Sequence, residues 1–112
     1  MVKWIILSIF VLSLVSCASS WKNVYTTDYR ETLRYGAHLV ELKQYDDALR
    51  VYQRLLPTSV TAEQKAALYN NIAVIAEVTG DSAKARDMYK KALELYPGTM
   101  IFENYKRFAG EL

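Results

Sequence analysis

A single cysteine and a single histidine stand among the 112 residues. One thiol cannot form an internal disulfide, and one thiol with one imidazole falls short of the usual ligand set of a zinc site. No glycine-rich stretch presents backbone amides to a phosphate group. Net charge is also small: Lys and Arg number 14 against 12 Asp and Glu, a formal net charge of +2. That is too little field to gather nucleic acid or an anionic surface, and no nucleic-acid partner is expected. No segment alternates apolar and polar residues for long enough to make a strand. No apolar run approaches the roughly 20 residues of a membrane-crossing helix. Without convergent acid, base, nucleophile or metal-binding groups, the sequence predicts no enzyme, no cofactor and no metal. His38 reads as a structural residue of a helix, and the Asp46-Asp47 pair as favourable charge at a helix start.

What is present falls into two unlike parts. Lys3 is the one charged residue of the first twenty, whereas all nine tyrosines lie from Tyr25 onward. Lys3, the apolar run Ile5 to Val15 and the small residues Ser16 to Ser20 follow the three-part layout of a secretory signal. As a helix the run would span about 16 Å, roughly half of a hydrocarbon core near 30 Å. Leu14-Val15-Ser16-Cys17 resembles the bacterial lipobox: a branched apolar residue, two small ones, then the cysteine that is acylated and becomes the first residue. The resemblance accounts for an unpaired thiol in an exported chain. It implies a signal peptide over residues 1–16, a lipidated tether over 17–27 with Cys17 as the acylation site, and a membrane-anchored domain over 28–112. In a diderm bacterium, Ala18 and Ser19 after the cysteine imply sorting to the periplasmic side of the outer membrane. An ordinary cleaved signal with an incidental cysteine, and a short uncleaved anchor, are the alternatives.

The second part carries helical periodicity throughout. Asp28 with Glu31 has capping-box spacing and opens a first helix through Leu33, Ala37 and Val40 to about Lys43. Tyr45 to Leu56 forms a second, which Pro57 ends. Thr61 with Gln64 repeats the capping-box spacing and opens a third through Leu68, Ile72 and Val78, closed at Gly80 by a left-handed residue. Asp81 or Ser82 starts a fourth, stopped at Pro97-Gly98, and Thr99 to Ala109 makes a fifth. About half the residues are apolar and a quarter charged, enough for a modest core in one domain.

Laid upon itself, the chain repeats after about 37 residues: Gly36 falls on Ala73, Ala48 on Ala85, Tyr52 on Tyr89 and Leu55 on Ala92. Small residues let helix axes approach while tyrosines fill the spaces between them. These runs, with Pro97 closing the second, resemble tetratricopeptide repeats. Lys43 and Leu55 depart from the pattern, standing where the family prefers glycine and alanine, and the surplus residues over a 34-residue period fit between Pro57 and Val60. The resemblance implies an all-α fold of two helical hairpins plus a C-terminal capping helix, a right-handed α-solenoid; a generic five-helix bundle is the alternative. It further implies a concave surface that binds a peptide or partner subunit. By position, Arg30, Leu33, Arg34, Ala37 and Val40 would face it from the first repeat and Asn70, Asn71, Val74 and Glu77 from the second, with Asn104 and Phe108 extending it. The function expected is a membrane-tethered adaptor that binds an envelope protein; a self-associating envelope lipoprotein, forming a homo-oligomer, is the alternative.

Overall fold

The computed structural model describes residues 29–59 and 61–110. Five α-helices follow in order among them: α1 (Tyr29–Glu41), α2 (Tyr45–Leu55), α3 (Ala62–Val78), α4 (Ser82–Leu95) and α5 (Thr99–Ala109), with a 3-10 turn at Leu56–Thr58 after α2. The expected all-α pair of hairpins with a closing helix is present, and the described residues contain no strand. Residues 1–28, and with them the expected signal, Cys17 and the Asp28 cap, lie outside the described residues.

Local chemistry sets each boundary. The Thr61 hydroxyl accepts from the Gln64 amide at 3.1 Å and the Gln64 side chain accepts from the Thr61 amide at 3.3 Å, completing the capping box. The Asp81 carboxylate caps α4 by accepting from the Lys84 amide at 3.2 Å, so Asp81 is the cap and Ser82 the first helical residue. Pro57 ends α2 as expected, two residues earlier than its own position. The carbonyl of Leu55 then accepts both the Thr58 and the Ser59 hydroxyls at 2.8 Å.

α1 and α3 finish in the same way. Lys43 and Gly80 are both left-handed, with φ of 60° and 89°. Gln44 donates to the carbonyl of Leu39 and Asp81 to that of Ala76, while Lys43 donates to Val40 and Gly80 to Glu77. These are two copies of one Schellman motif, separated by the repeat period. Glycine adopts this conformation without steric cost; a residue with a Cβ holds it at a cost of about 1–2 kcal/mol.

The interior is assembled on the same period. Ala48, Ala73, Ala85 and Ala92 have no exposed surface, and Tyr52 and Tyr89 are buried beside them. α3 is apolar on most of its circumference because it is covered on several sides: it packs on α2, α4 and α5, and the Tyr29 hydroxyl of α1 donates to its Gln64 carbonyl at 2.8 Å. Leu39, Ala48, Tyr52, Leu55, Leu68, Ile72 and Ile75 form the core between the two hairpins. Ala73, Ala76, Ala85 and Tyr89 form a second core, which Tyr105 and Phe108 of α5 close.

Gly36 is the one helix-interior position where a close approach demands the absence of a side chain. A Cβ built there would meet the Tyr52 ring, with Cζ only 2.9 Å away and Cε1 nearer still. In the second repeat the corresponding Ala73 accommodates Tyr89.

Candidate binding groove

The face shared by α1 and α3 carries two open depressions. One, of about 520 Å³, is bordered by Arg30 and Leu33 of α1 and by Thr61, Glu63, Gln64 and Ala67 beside or on α3, with Tyr29 at its edge. The other, of about 150 Å³, is lined by Ala37, Val40, Asn71 and Val74, with Tyr52 of α2 at its base. The structure therefore brings together Ala37, Val40, Asn71 and Val74 in one concavity, and Arg30 with Leu33 in its neighbour. Arg34 is exposed on α1 and borders neither.

Asn70 and Glu77, placed by position on the same face, are engaged with other helices. Asn70 is 3% exposed. Its Oδ1 accepts from Asn104 Nδ2 of α5 at 3.1 Å, and its own Nδ2 donates to Asn71 Oδ1 at 3.5 Å. The Glu77 carboxylate accepts the Tyr89 hydroxyl at 2.8 Å and Arg107 at 3.2 Å. Burial first, and then the bond to Glu77, hold the Tyr89 phenol well above the usual tyrosine range. Phe108 packs on Tyr89 with the rings tilted at 43° and their centroids 5.5 Å apart, and the Arg86 guanidinium lies over the Phe108 ring, 5.6 Å from its centre. Asn104 and Phe108 thus join α5 to the second hairpin.

His38 points to solvent, with Nδ1 3.6 Å from the Glu41 carboxylate one turn on. No cluster of three or more His, Cys, Asp or Glu side chains suited to a metal occurs among the described residues. Asp46 and Asp47 sit in the first turn of α2, and Asp47 pairs with Arg50 at 3.4 Å.

Tyr52 is the functional candidate that spacing alone did not single out. Its ring fills the space beside Gly36, and only 1% of the residue is exposed. Burial pushes its phenol up to about 12. Unlike the Tyr89 hydroxyl, the Tyr52 hydroxyl has no hydrogen-bond partner among the described residues, yet it is not sealed from solvent. The signal was available in the repeat: the position of Glu77 in the second hairpin is occupied by Val40 in the first.

The solvent-facing apolar members, Ala37, Val40 and Val74, line a surface that can bury a partner's side chain, with the side-chain amide group of Asn71 beside them. This is chemistry suited to recognition. Residues 28–98 match the family model of the tetratricopeptide repeat. No curated protein and no solved structure matches the chain. The matched span covers both hairpins, their duplicated Schellman turns and their buried alanine and tyrosine positions, and the chain belongs to the tetratricopeptide repeat family.

Proposed function

We propose that the protein is a membrane-tethered, non-catalytic adaptor of the bacterial cell envelope that binds a peptide or partner subunit through the α1/α3 face. Tetratricopeptide repeats are interaction modules, and a protein-binding role follows from the family. The observation that carries the choice of face is the concavity in which Ala37, Val40, Asn71 and Val74 converge between two repeats and remain open to solvent. The two-repeat groove is shallow, which suits a modest interface or one completed by a second chain.

The tether rests on the sequence Leu14-Val15-Ser16-Cys17. No helix among the described residues is long and apolar enough to cross a membrane, and the attachment proposed is an acylated Cys17. Two or more acyl chains give stable anchoring where one gives only reversible binding. In a diderm cell Ala18 and Ser19 favour the periplasmic side of the outer membrane. Cys17→Ala is expected to abolish incorporation of labelled fatty acid and to leave a slower-migrating precursor; undiminished labelling would remove the tether from the proposal.

Photo-crosslinking residues placed at Ala37 and Val74 in intact cells, followed by mass spectrometry, test the face. Adducts to one recurrent envelope protein, absent when the probe sits at exposed Lys90, are expected. Equal adducts from all three sites would count against it.

A self-associating role is the second reading, and exposed apolar residues at the C-terminal end favour it: Met100 is 66% and Phe102 48% exposed, beside exposed Tyr96. A concentration-dependent mass abolished by Phe102→Lys, with no envelope protein crosslinked, would select it.

A further inference from the structure

A third depression lies between α3 and α5. It has a volume of about 280 Å³ and is lined by Glu63 and Ala67 of α3, by Tyr96 and Gly98 of the turn after α4, and by Met100 and Ile101 of α5. The bare Cα of Gly98 lets the Tyr96 ring come close against the turn: a Cβ there would sit 3.2 Å from ring Cδ1 and 3.9 Å from the Ile101 Cδ1. Tyr96 and Ile101 therefore meet over one glycine, and the apolar wall they make is already formed. Met100, 66% exposed, and Tyr96, 43% exposed, stay largely open to solvent among the described residues. Large apolar groups left open together mark a place for a partner.

The chain itself supplies the nearest occupant. Glu63 and Ala67 also border the larger depression beside Tyr29. The hydroxyl of Tyr29, the first described residue, donates to the Gln64 carbonyl at 2.8 Å. The chain thus enters the domain against the same turns of α3 that form the third depression. The residues ahead of Tyr29 run Trp21-Lys22-Asn23-Val24-Tyr25-Thr26-Thr27-Asp28 and place a tryptophan eight positions away. Eight residues reach about 26 Å. α5 lies one helix beyond α3, and two helix-to-helix spacings amount to about 20 Å or less, so the reach suffices without full extension. An apolar side chain and an open apolar depression joined by so short a segment meet at an effective concentration of about millimolar. A weak attraction then fills the site, where a free partner would need a comparable concentration or a tighter fit.

We propose that the Trp21 indole docks in this depression, against the Tyr96 ring and between Ala67 and Met100, so that the chain's own N-terminal segment covers one end of the stack. The indole offers a large rigid apolar surface, and its N–H can donate to the Glu63 carboxylate beside it. The smaller concavity of Ala37, Val40, Asn71 and Val74 lies further along α1 and α3 and stays free for a partner. The contact goes beyond the adaptor role and needs no acylation. It has a consequence that rests on the acylated Cys17 proposed above. Trp21 is four residues from that cysteine, so the docked segment holds the corner between α4 and α5 within about 14 Å of the lipid attachment. A domain that would swing on its tether then keeps one side towards the membrane.

The test uses the full chain with Trp4→Phe in detergent micelles, which leaves Trp21 as the single tryptophan whether or not the first sixteen residues are removed. Its emission is followed with acrylamide as the quencher from water and a brominated detergent as the quencher from the micelle. The expected result is blue-shifted emission, acrylamide quenching several-fold weaker than that of N-acetyltryptophanamide, no quenching by the brominated detergent, and nuclear Overhauser contacts from the indole to the Met100 methyl. Met100→Lys, at an exposed position, should restore acrylamide quenching by the same factor with far-UV circular dichroism unchanged. Should that variant lose its dichroism, the Overhauser contacts decide. Quenching by the brominated detergent would put the indole among the lipid headgroups and overturn the proposal. An indole open to acrylamide in the parent would overturn it too, as would shielding that Met100→Lys leaves undisturbed. Shielding that rises with protein concentration would give the depression to a second copy instead. Shielding and contacts intact without acyl labelling at Cys17 would remove the tether and leave the docked indole standing.

Discussion

Gly36→Ala sets two well-known effects against each other at one atom. Replacing glycine by alanine inside a helix ordinarily stabilises by about 1 kcal/mol, through backbone entropy and propensity. At this site the added methyl would enter the Tyr52 ring, with Cζ at 2.9 Å and Cδ1 at 3.1 Å. Neither partner can retreat cheaply. Tyr52 is packed against Leu39, Ala48 and Leu55, and it is ring carbon rather than a flexible tip that blocks the methyl. Overpacking of this kind costs about 1–3 kcal/mol, and the rigidity of the neighbour places it toward the upper end. The net expectation is destabilisation by about 1–2 kcal/mol, a fall in melting temperature of roughly 4–16 °C for a domain of this size. Thermal unfolding followed by circular dichroism at 222 nm reads it directly. The double variant Gly36→Ala with Tyr52→Leu should recover part of the loss, since the shorter side chain vacates the ring's place. A single variant that melts higher than the parent would refute the close helix approach on which the first hairpin is built.

Three further outcomes follow from the same geometry. Lys43→Gly should stabilise by about 0.5–1 kcal/mol, because relief of the left-handed conformation outweighs the extra freedom of glycine in the unfolded chain, whereas Gly80→Lys should lose a similar amount; urea midpoints of the two should move in opposite directions. Tyr89→Phe should cost about 1–2 kcal/mol by removing the bond to the half-buried Glu77, while Tyr52→Phe should stay within about 0.5 kcal/mol, and a reversed order in chemical denaturation would contradict the contrast between the two hydroxyls. Stability should fall as pH rises from about 10 toward 12: burial raises the Tyr52 and Tyr89 phenols, so over that interval the unfolded chain releases protons that the folded one keeps. A flat unfolding free energy from pH 9.5 to 11.5 would count against this burial.

The fold was legible because its signals are local and occur twice. Thr61 with Gln64, Pro57, Gly80 and the alanine-tyrosine spacing each specify a boundary or a contact without knowledge of distant residues. Lys43 was visible as an oddity in the pattern, but only the backbone shows that it keeps glycine's conformation rather than abandoning the turn. The groove was read less completely. Helical position placed Ala37, Val40, Asn71 and Val74 on one face, and they do share a concavity. Position does not reveal that a side chain on that face is already taken: Asn70 is drawn to Asn104, and Glu77 to Tyr89 and Arg107, because α5 packs there. Nor does it show that a core residue from the second helix reaches through to the groove, as Tyr52 does beside the missing side chain of Gly36. The proposals for Cys17 and its tether depend on residues 1–20 alone and have their own test in acyl labelling.

The row of amides from Asn104 to Asn71 has a direction, and that direction is inherited from its far end. An isolated asparagine can turn its head over and exchange oxygen for nitrogen with little penalty. Here the last one is steered by its neighbour Asn70, which is steered in turn by Asn104 of α5. Severing that steering at Asn104 would leave the pocket its shape while letting its hydrogen-bonding sense become ambiguous.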